Sequence, residues 1–231
     1  MSTQRIMMAA LIALACGVAG AQSLDSEEAQ LSYKMGYDIG ARMKEMGIQA
    51  LDSAAFAAGA QDALAQGDSK LSAEQAQAAE AALTELQKAE MDRRRAELAQ
   101  AAENNLKEGE AFLATNANKE GVVVTDSGLQ YEVVRQGDGP RPKATDTVRV
   151  NYEGTLLDGT VFDSSYQRGE PAVFPLNRVI SGWTEGLQLM TVGSEYRFYI
   201  PSDLGYGGRN QGQIGPNSTL LFKVELLGIE G

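Results

Sequence analysis

The chain has 231 residues, a formal net charge of −11, one cysteine (Cys16) and no histidine. Without histidine, neither a Ser-His-Asp nor a Cys-His centre can be built, and His-ligated metal sites are excluded. An acidic chain does not neutralise phosphates, so nucleic acid is not an expected partner.

The N-terminus reads as a processing signal. Arg5 precedes the apolar run Ile6 to Ala15, and the small residues Ala19-Gly20-Ala21 follow. Charged, apolar and cleavage regions in that order define a secretory signal peptide over residues 1–21. The apolar run is too short to span a bilayer. This predicts export to the periplasm. A rival reading starts from Ala13-Leu14-Ala15-Cys16, which loosely resembles a lipoprotein signal. It would place a lipid anchor at Cys16 and the protein in the outer membrane or at the cell surface.

Residues 22–115 are rich in good helix formers, and every proline lies from Pro140 onward. A first helix is predicted to begin near Asp25, with Glu28 three residues on as in a capping box. Leu31, Met35, Ile39, Met43 and Met46 recur every three or four positions and form one apolar stripe. Gly36 and Gly40 near that stripe leave room for another helix, and Gly47 is the expected stop. A second helix is predicted from about Asp52 to Gln66, ended by Gly67. Two such helices bury too little surface to fold alone. The cover could be the remainder of the chain or a second copy of residues 22–70; the second copy is the expected partner, giving a homodimer. Ser72 and Gln75 open a third helix that reaches about Ala114, read as an exposed stalk over residues 71–120. A hairpin broken near Asn104-Asn105 is the alternative.

From Val122 the period changes to two. Leu129, Tyr131 and Val133 alternate with polar residues, as do Val148, Val150 and Tyr152, then Tyr196, Phe198 and Ile200, then Phe222, Val224 and Leu226. These are strands with one buried face. Asp158-Gly159 supplies a hairpin turn. Trp183, Leu187 and Met190 share a face of one short helix. The fold class is α+β: a helical segment and long helix, then an antiparallel sheet curved around one short helix over residues 121–231.

Within that sheet region Tyr152, Phe162, Asp163, Phe174, Val179, Ile180, Trp183, Tyr206, Ile214 and Phe222 fall at irregular spacings on short strands and loops. Such spacing points to side chains converging on a ring-lined apolar pocket with a few polar groups to orient a ligand. Taken singly, Tyr152, Phe162, Trp183 and Phe222 also read as ordinary core, and Asp163 as a turn residue.

Four ordered stretches carry a resemblance. They are residues 150–165 (VNYEGTLLDGTVFDSS), 179–186 (VISGWTEG), 200–207 (IPSDLGYG) and 215–227 (GPNSTLLFKVELL). Together they resemble the FKBP-type peptidyl-prolyl cis-trans isomerases. Residues 31–40 (LSYKMGYDIG) and 128–131 (GLQY) resemble the exported bacterial branch of that family, the macrophage infectivity potentiator-like proteins.

The resemblance implies a rotamase that acts on proline-containing unfolded or folding polypeptides without cofactor or metal. It implies a homodimer joined through residues 22–70 and macrolides as inhibitors. It arranges Tyr152, Phe162, Asp163, Val179, Ile180, Trp183, Tyr206 and Phe222 around the proline pocket, with Trp183 as its floor. Arg168 matches the arginine that pairs with Asp163. The Ile180 N–H and the Tyr206 hydroxyl would hold substrate carbonyls, so Tyr152, Asp163, Ile180 and Tyr206 are the expected catalytic set. Phe162, Arg168, Phe174, Val179, Trp183, Ile214 and Phe222 would bind substrate. The sequence departs from the family at Ala172, where many members carry phenylalanine. It departs again in the loop from Gly208 to Gly215, which has Gln211 and no aromatic, and at Gly215 itself, a frequent proline. Two other functions compete: a non-catalytic dimeric chaperone and a surface virulence factor.

Overall fold

The computed structural model describes residues 23–230. The signal-peptide reading of residues 1–21 and the lipid anchor at Cys16 lie outside the described residues. The chain divides into two compact units, Met1–Glu90 and Met91–Gly231.

The described residues of the first unit are helical. Helix α1 spans Glu27–Glu45 and α2 spans Ser53–Leu64. The α1 cap is Ser26, one residue later than expected, because its hydroxyl reaches the Ala29 N–H at 3.1 Å and satisfies an orphan donor of the first turn. Gly47, at φ +83°, closes α1, and the Ile48 N–H bonds back to the Met43 carbonyl at 2.9 Å. Asp52 caps α2 through bonds from the Ala54 and Ala55 N–H groups, each 3.0 Å. At the other end the left-handed residue is Gln66, φ +56°, rather than the expected Gly67. The Gly67 N–H then reaches the Asp62 carbonyl at 2.9 Å. Neither α1 nor α2 buries a residue.

Helix α3 spans Ala73–Asn116 and runs unbroken through Asn104-Asn105, which removes the hairpin alternative. Its start is a reciprocal capping box: the Gln75 N–H donates to Ser72 Oγ at 3.2 Å, and the Ser72 N–H donates to Gln75 Oε1 at 2.9 Å.

In the second unit the last turns of α3 are packed, which the stalk reading did not foresee. Asn105 donates to the Pro216 carbonyl at 2.8 Å, and Phe112 meets Tyr199 with centroids 5.9 Å apart. Buried Asn116 donates to Gln130, whose own amide donates to the Leu113 carbonyl. Gly109 sits where a Cβ would come within 2.2 Å of Thr219 Oγ1, so the absence of a side chain sets how closely the helix approaches.

Seven strands follow: β1 Val122–Val124, β2 Gln130–Arg135, β3 Thr147–Thr155, β4 Val161–Ser164, β5 Ala172–Pro175, β6 Glu195–Ile200 and β7 Leu220–Glu230. All pairings are antiparallel, in the order β1-β2-β6-β7-β3-β4, and β5 also pairs with β3. The long strand β3 therefore gives one edge to β7 and shares the other between β5 and β4.

The alternating residues of β3, β6 and β7 are buried as their period demands, and Trp183, Leu187 and Met190 of α5 (Ser181–Leu189) and its C-cap join the same core. In β2 the alternation fails at Val133, which is exposed. The register shifts between Val133 and Arg135, so the strand leaves the core face there.

Candidate active site

The site is built from the ends of strands and the loops that join them. Tyr152 lies on β3 opposite Val224, and Gly154 lies opposite Phe222 on one side and Asp163 on the other. A Cβ at Gly154 would come within 2.6 Å of the Phe162 ring and 2.7 Å of the Phe222 ring. A glycine here lets those two rings meet edge to face, with centroids 5.5 Å apart.

Trp183, only 4% exposed, is the hub of the cluster. Its ring makes edge contacts with Tyr152 at 5.1 Å, Phe174 at 5.6 Å and Phe222 at 5.2 Å. Helix α5 holds it there, and Thr184 ties the start of that helix to the Leu176 carbonyl at 2.6 Å. The Trp183 indole N–H is buried without a partner among the described residues.

The rings bound an open cleft of about 730 Å³. Tyr152, Phe162, Asp163, Phe174, Val179, Ile180, Trp183, Tyr206, Ile214 and Phe222 all line it, so the irregularly spaced residues do converge. Arg168 lies beside the cleft, bound to two of its lining residues. The sequence reading missed Arg178, Ser181, Gly205 and Arg209, and noted Gln211 only as a loop feature. Exposed arginines follow no period, so adjacency to Val179 and Tyr206 was the one available signal.

A short helix, α4 (Ser165–Arg168), folds the chain back after β4. Ser164 caps it, and Ser165 Oγ accepts the Tyr152 N–H at 2.9 Å. This places Arg168 over Asp163 and Tyr152. The Tyr152 hydroxyl donates to Asp163 Oδ2, Arg168 Nη1 donates to Asp163 Oδ1, and Arg168 Nη2 donates to the Tyr152 hydroxyl oxygen at 2.9 Å. Burial first, and then the bond to Asp163, push the Tyr152 phenol up to about 12. Its bonds to Tyr152 and Asp163 also raise the Arg168 pKa. Each Asp163 oxygen thus accepts a hydrogen bond, and the carboxylate ties the Tyr152 hydroxyl to Arg168.

Besides the Trp183 indole N–H, two donors at the cleft have no partner among the described residues. The Ile180 carbonyl accepts from Trp183 and Thr184 at the start of α5, but among the described residues its N–H donates to no protein group. The Tyr206 hydroxyl likewise has no partner among the described residues; its backbone carbonyl accepts from Arg209. The loop after Tyr206 is closed by the Asn217 N–H on the Gly207 carbonyl at 2.8 Å. Reciprocal backbone bonds between Gln211 and Ile214 hold Ile214 buried at the cleft. Ala172, where the sequence departs from the family, lies on β5 opposite Val150 of β3 and does not line the cleft.

A curved antiparallel sheet with a ring-walled cleft over one helix defines the class. Residues 139–227 match the family described as FKBP-type peptidyl-prolyl cis-trans isomerase. Residues 28–133 match the domain amino terminal to it. The chain is 48% identical to the FKBP-type peptidyl-prolyl cis-trans isomerase FkpA of Aeromonas hydrophila, over 89% of this chain and 77% of that one. It is 42% identical to the outer membrane protein MIP of Legionella longbeachae, over 98% of this chain and 97% of that one. The crystal structure of FkpA from Escherichia coli superposes with a TM-score of 0.62 at 38% identity, covering 90% of this chain and 99% of that one. The protein belongs to the FKBP-type peptidyl-prolyl cis-trans isomerase family and is an enzyme of that class. The family acts on proline-containing polypeptides.

Proposed function

We propose that the cleft between Tyr152, Trp183, Tyr206 and Phe222 turns X-Pro bonds in unfolded or folding exported polypeptides. Rotation of the amide breaks its partial double bond, a barrier of roughly 18 to 20 kcal/mol. The planar amide is charge-separated and the twisted one is not. An apolar, ring-lined site therefore disfavours the planar form more, which is differential binding of the transition state. The Ile180 N–H and the Tyr206 hydroxyl hold the carbonyls on either side of the turning bond and limit the orientations it samples. Tyr152, braced by Asp163 and Arg168, holds the wall against which the pyrrolidine ring packs, with Phe162, Phe174, Val179 and Ile214 completing it. No proton transfer is needed.

The observation that carries this reading is that the Ile180 N–H and the Tyr206 hydroxyl, both beside the ring cluster of the cleft, have no partner among the described residues. A protease-free exchange assay on an X-Pro peptide tests it. Wild-type protein should accelerate exchange, and Tyr206→Phe should lower kcat/KM about five- to tenfold, the loss of one hydrogen bond. Unaltered exchange with wild-type protein ends the reading and leaves a holding chaperone.

The exposed stripe of α1 supports association of two copies through residues 22–70, with residues 71–120 as the connecting helix and residues 121–231 as the isomerase domain. Leu31 is 62%, Met35 56% and Ile39 38% exposed in the single chain. Light scattering of the full chain tests this, and a monomer would refute it. Export through residues 1–21 places the protein in the periplasm; mass spectrometry of the mature N-terminus separates this from lipidation at Cys16. A macrolide should compete with peptide for the cleft.

A further inference from the structure

The cleft has a charged mouth that its apolar walls do not require. Its lining contains one carboxylate, Asp163, and that group is already bound to Arg168 and Tyr152. The same lining contains two arginines, Arg178 and Arg209. Arginines on the strands are used internally: Arg135 pairs with Glu225, Arg149 with Glu230 and Arg197 with Glu132. Arg178 and Arg209 are exposed and form no ion pair among the described residues. Arg209 uses only its Nε–H, on the Tyr206 carbonyl at 3.4 Å. Their guanidinium forks are therefore available to a ligand.

This local sign is opposite to that of the molecule. The chain carries a net charge of −11, so its surface as a whole repels an acidic peptide. A positive rim with no ion pair among the described residues opposes that field beside the cleft. From this rim we infer that Arg178 and Arg209 are specificity residues that select X-Pro segments carrying a carboxylate side chain next to the proline. The inference rests on the isomerase reading of the cleft and names the substrate class it favours. A carboxylate adjacent to the proline meets a guanidinium while the ring occupies the apolar cleft. A lysine in the same place meets like charge.

The test uses the full chain and one neutral host peptide in which Glu, Gln or Lys is placed before the proline, then after it. Exchange rates are read without a coupled protease. At about 20 mM salt, where screening is weak, kcat/KM should be higher for Glu than for Gln by about threefold or more on at least one side of the proline, and lower for Lys. The Glu/Gln ratio should fall towards one at about 0.5 M salt. It should also fall in the double variant Arg178→Gln, Arg209→Gln, and be restored in Arg178→Lys, Arg209→Lys. Accelerated exchange with a Glu/Gln ratio of one on both sides of the proline at low salt overturns this inference alone. So does a preference that survives unchanged in the double glutamine variant. Failure to accelerate any of the peptides removes the isomerase reading itself, and the inference with it.

Discussion

The helical unit and the sheet unit use apolar side chains in opposite ways. Every buried apolar side chain of the core lies at or after Leu129, while α1 and α2 bury none. Yet Leu31, Met35 and Ile39 are spaced as regularly as Val148, Val150 and Tyr152. Periodicity therefore marks a face that needs cover without saying whether the same chain covers it. The sheet unit supplies its own cover, because β3, β6 and β7 fold over α5. The first unit leaves Leu31, Met35 and Ile39 of its stripe exposed, the kind of apolar surface that marks an interaction site.

The sharpest way to break this contrast is to truncate one residue in each region. Leu187, fully buried in α5, should cost about 2 to 5 kcal/mol as Leu187→Ala, read by denaturant unfolding of the sheet unit. Leu31→Asp should leave that transition in place and abolish association in light scattering. Equal loss of stability from both would mean the stripe is core after all.

A smaller effect is expected inside the cleft. Gly154→Val would push into the Phe162 and Phe222 rings, whose atoms lie 2.6 and 2.7 Å from a Cβ at that position. Catalytic efficiency on an X-Pro peptide should fall about tenfold or more, roughly 1.4 kcal/mol. Association should be unaffected, since residue 154 is remote in sequence from the α1 stripe. A full-rate Gly154→Val enzyme would separate the ring cluster from catalysis.

The mildest effect concerns pH. With no histidine in the chain and the Tyr152 phenol pushed up to about 12, Tyr152 stays protonated through the neutral range. Exchange rates should be flat from about pH 6 to 9, a range in which an unperturbed His would titrate. Because the folded pKa of Tyr152 exceeds the ordinary value of 10.0, its contribution to stability is complete below pH 10.0 and is lost as pH rises to about 12. Tyr152→Phe should remove that part of the alkaline destabilisation, measured as the slope of unfolding free energy against pH.

What local chemistry dictates was legible in the sequence. The capping box at Ser72 and Gln75, the change of period near Val122, the Asp158-Gly159 turn and the short helix around Trp183 each depend on residues a few positions apart. The convergence of Tyr152, Phe174, Trp183 and Phe222 was suggested by their irregular spacing, although singly Tyr152, Trp183 and Phe222 also read as core and do belong to the core cluster. The tertiary structure alone decided the rest. Gln66 took the left-handed position ahead of Gly67, and Val133 left the core at a register shift. The end of α3 closed on Thr219 and Tyr199, and two arginines with no ion pair among the described residues came to line the cleft. Each of these depends on partners more distant in the chain or on the course of a neighbouring strand. Short-range patterns record what a residue needs, and only the fold determines which distant group, if any, supplies it.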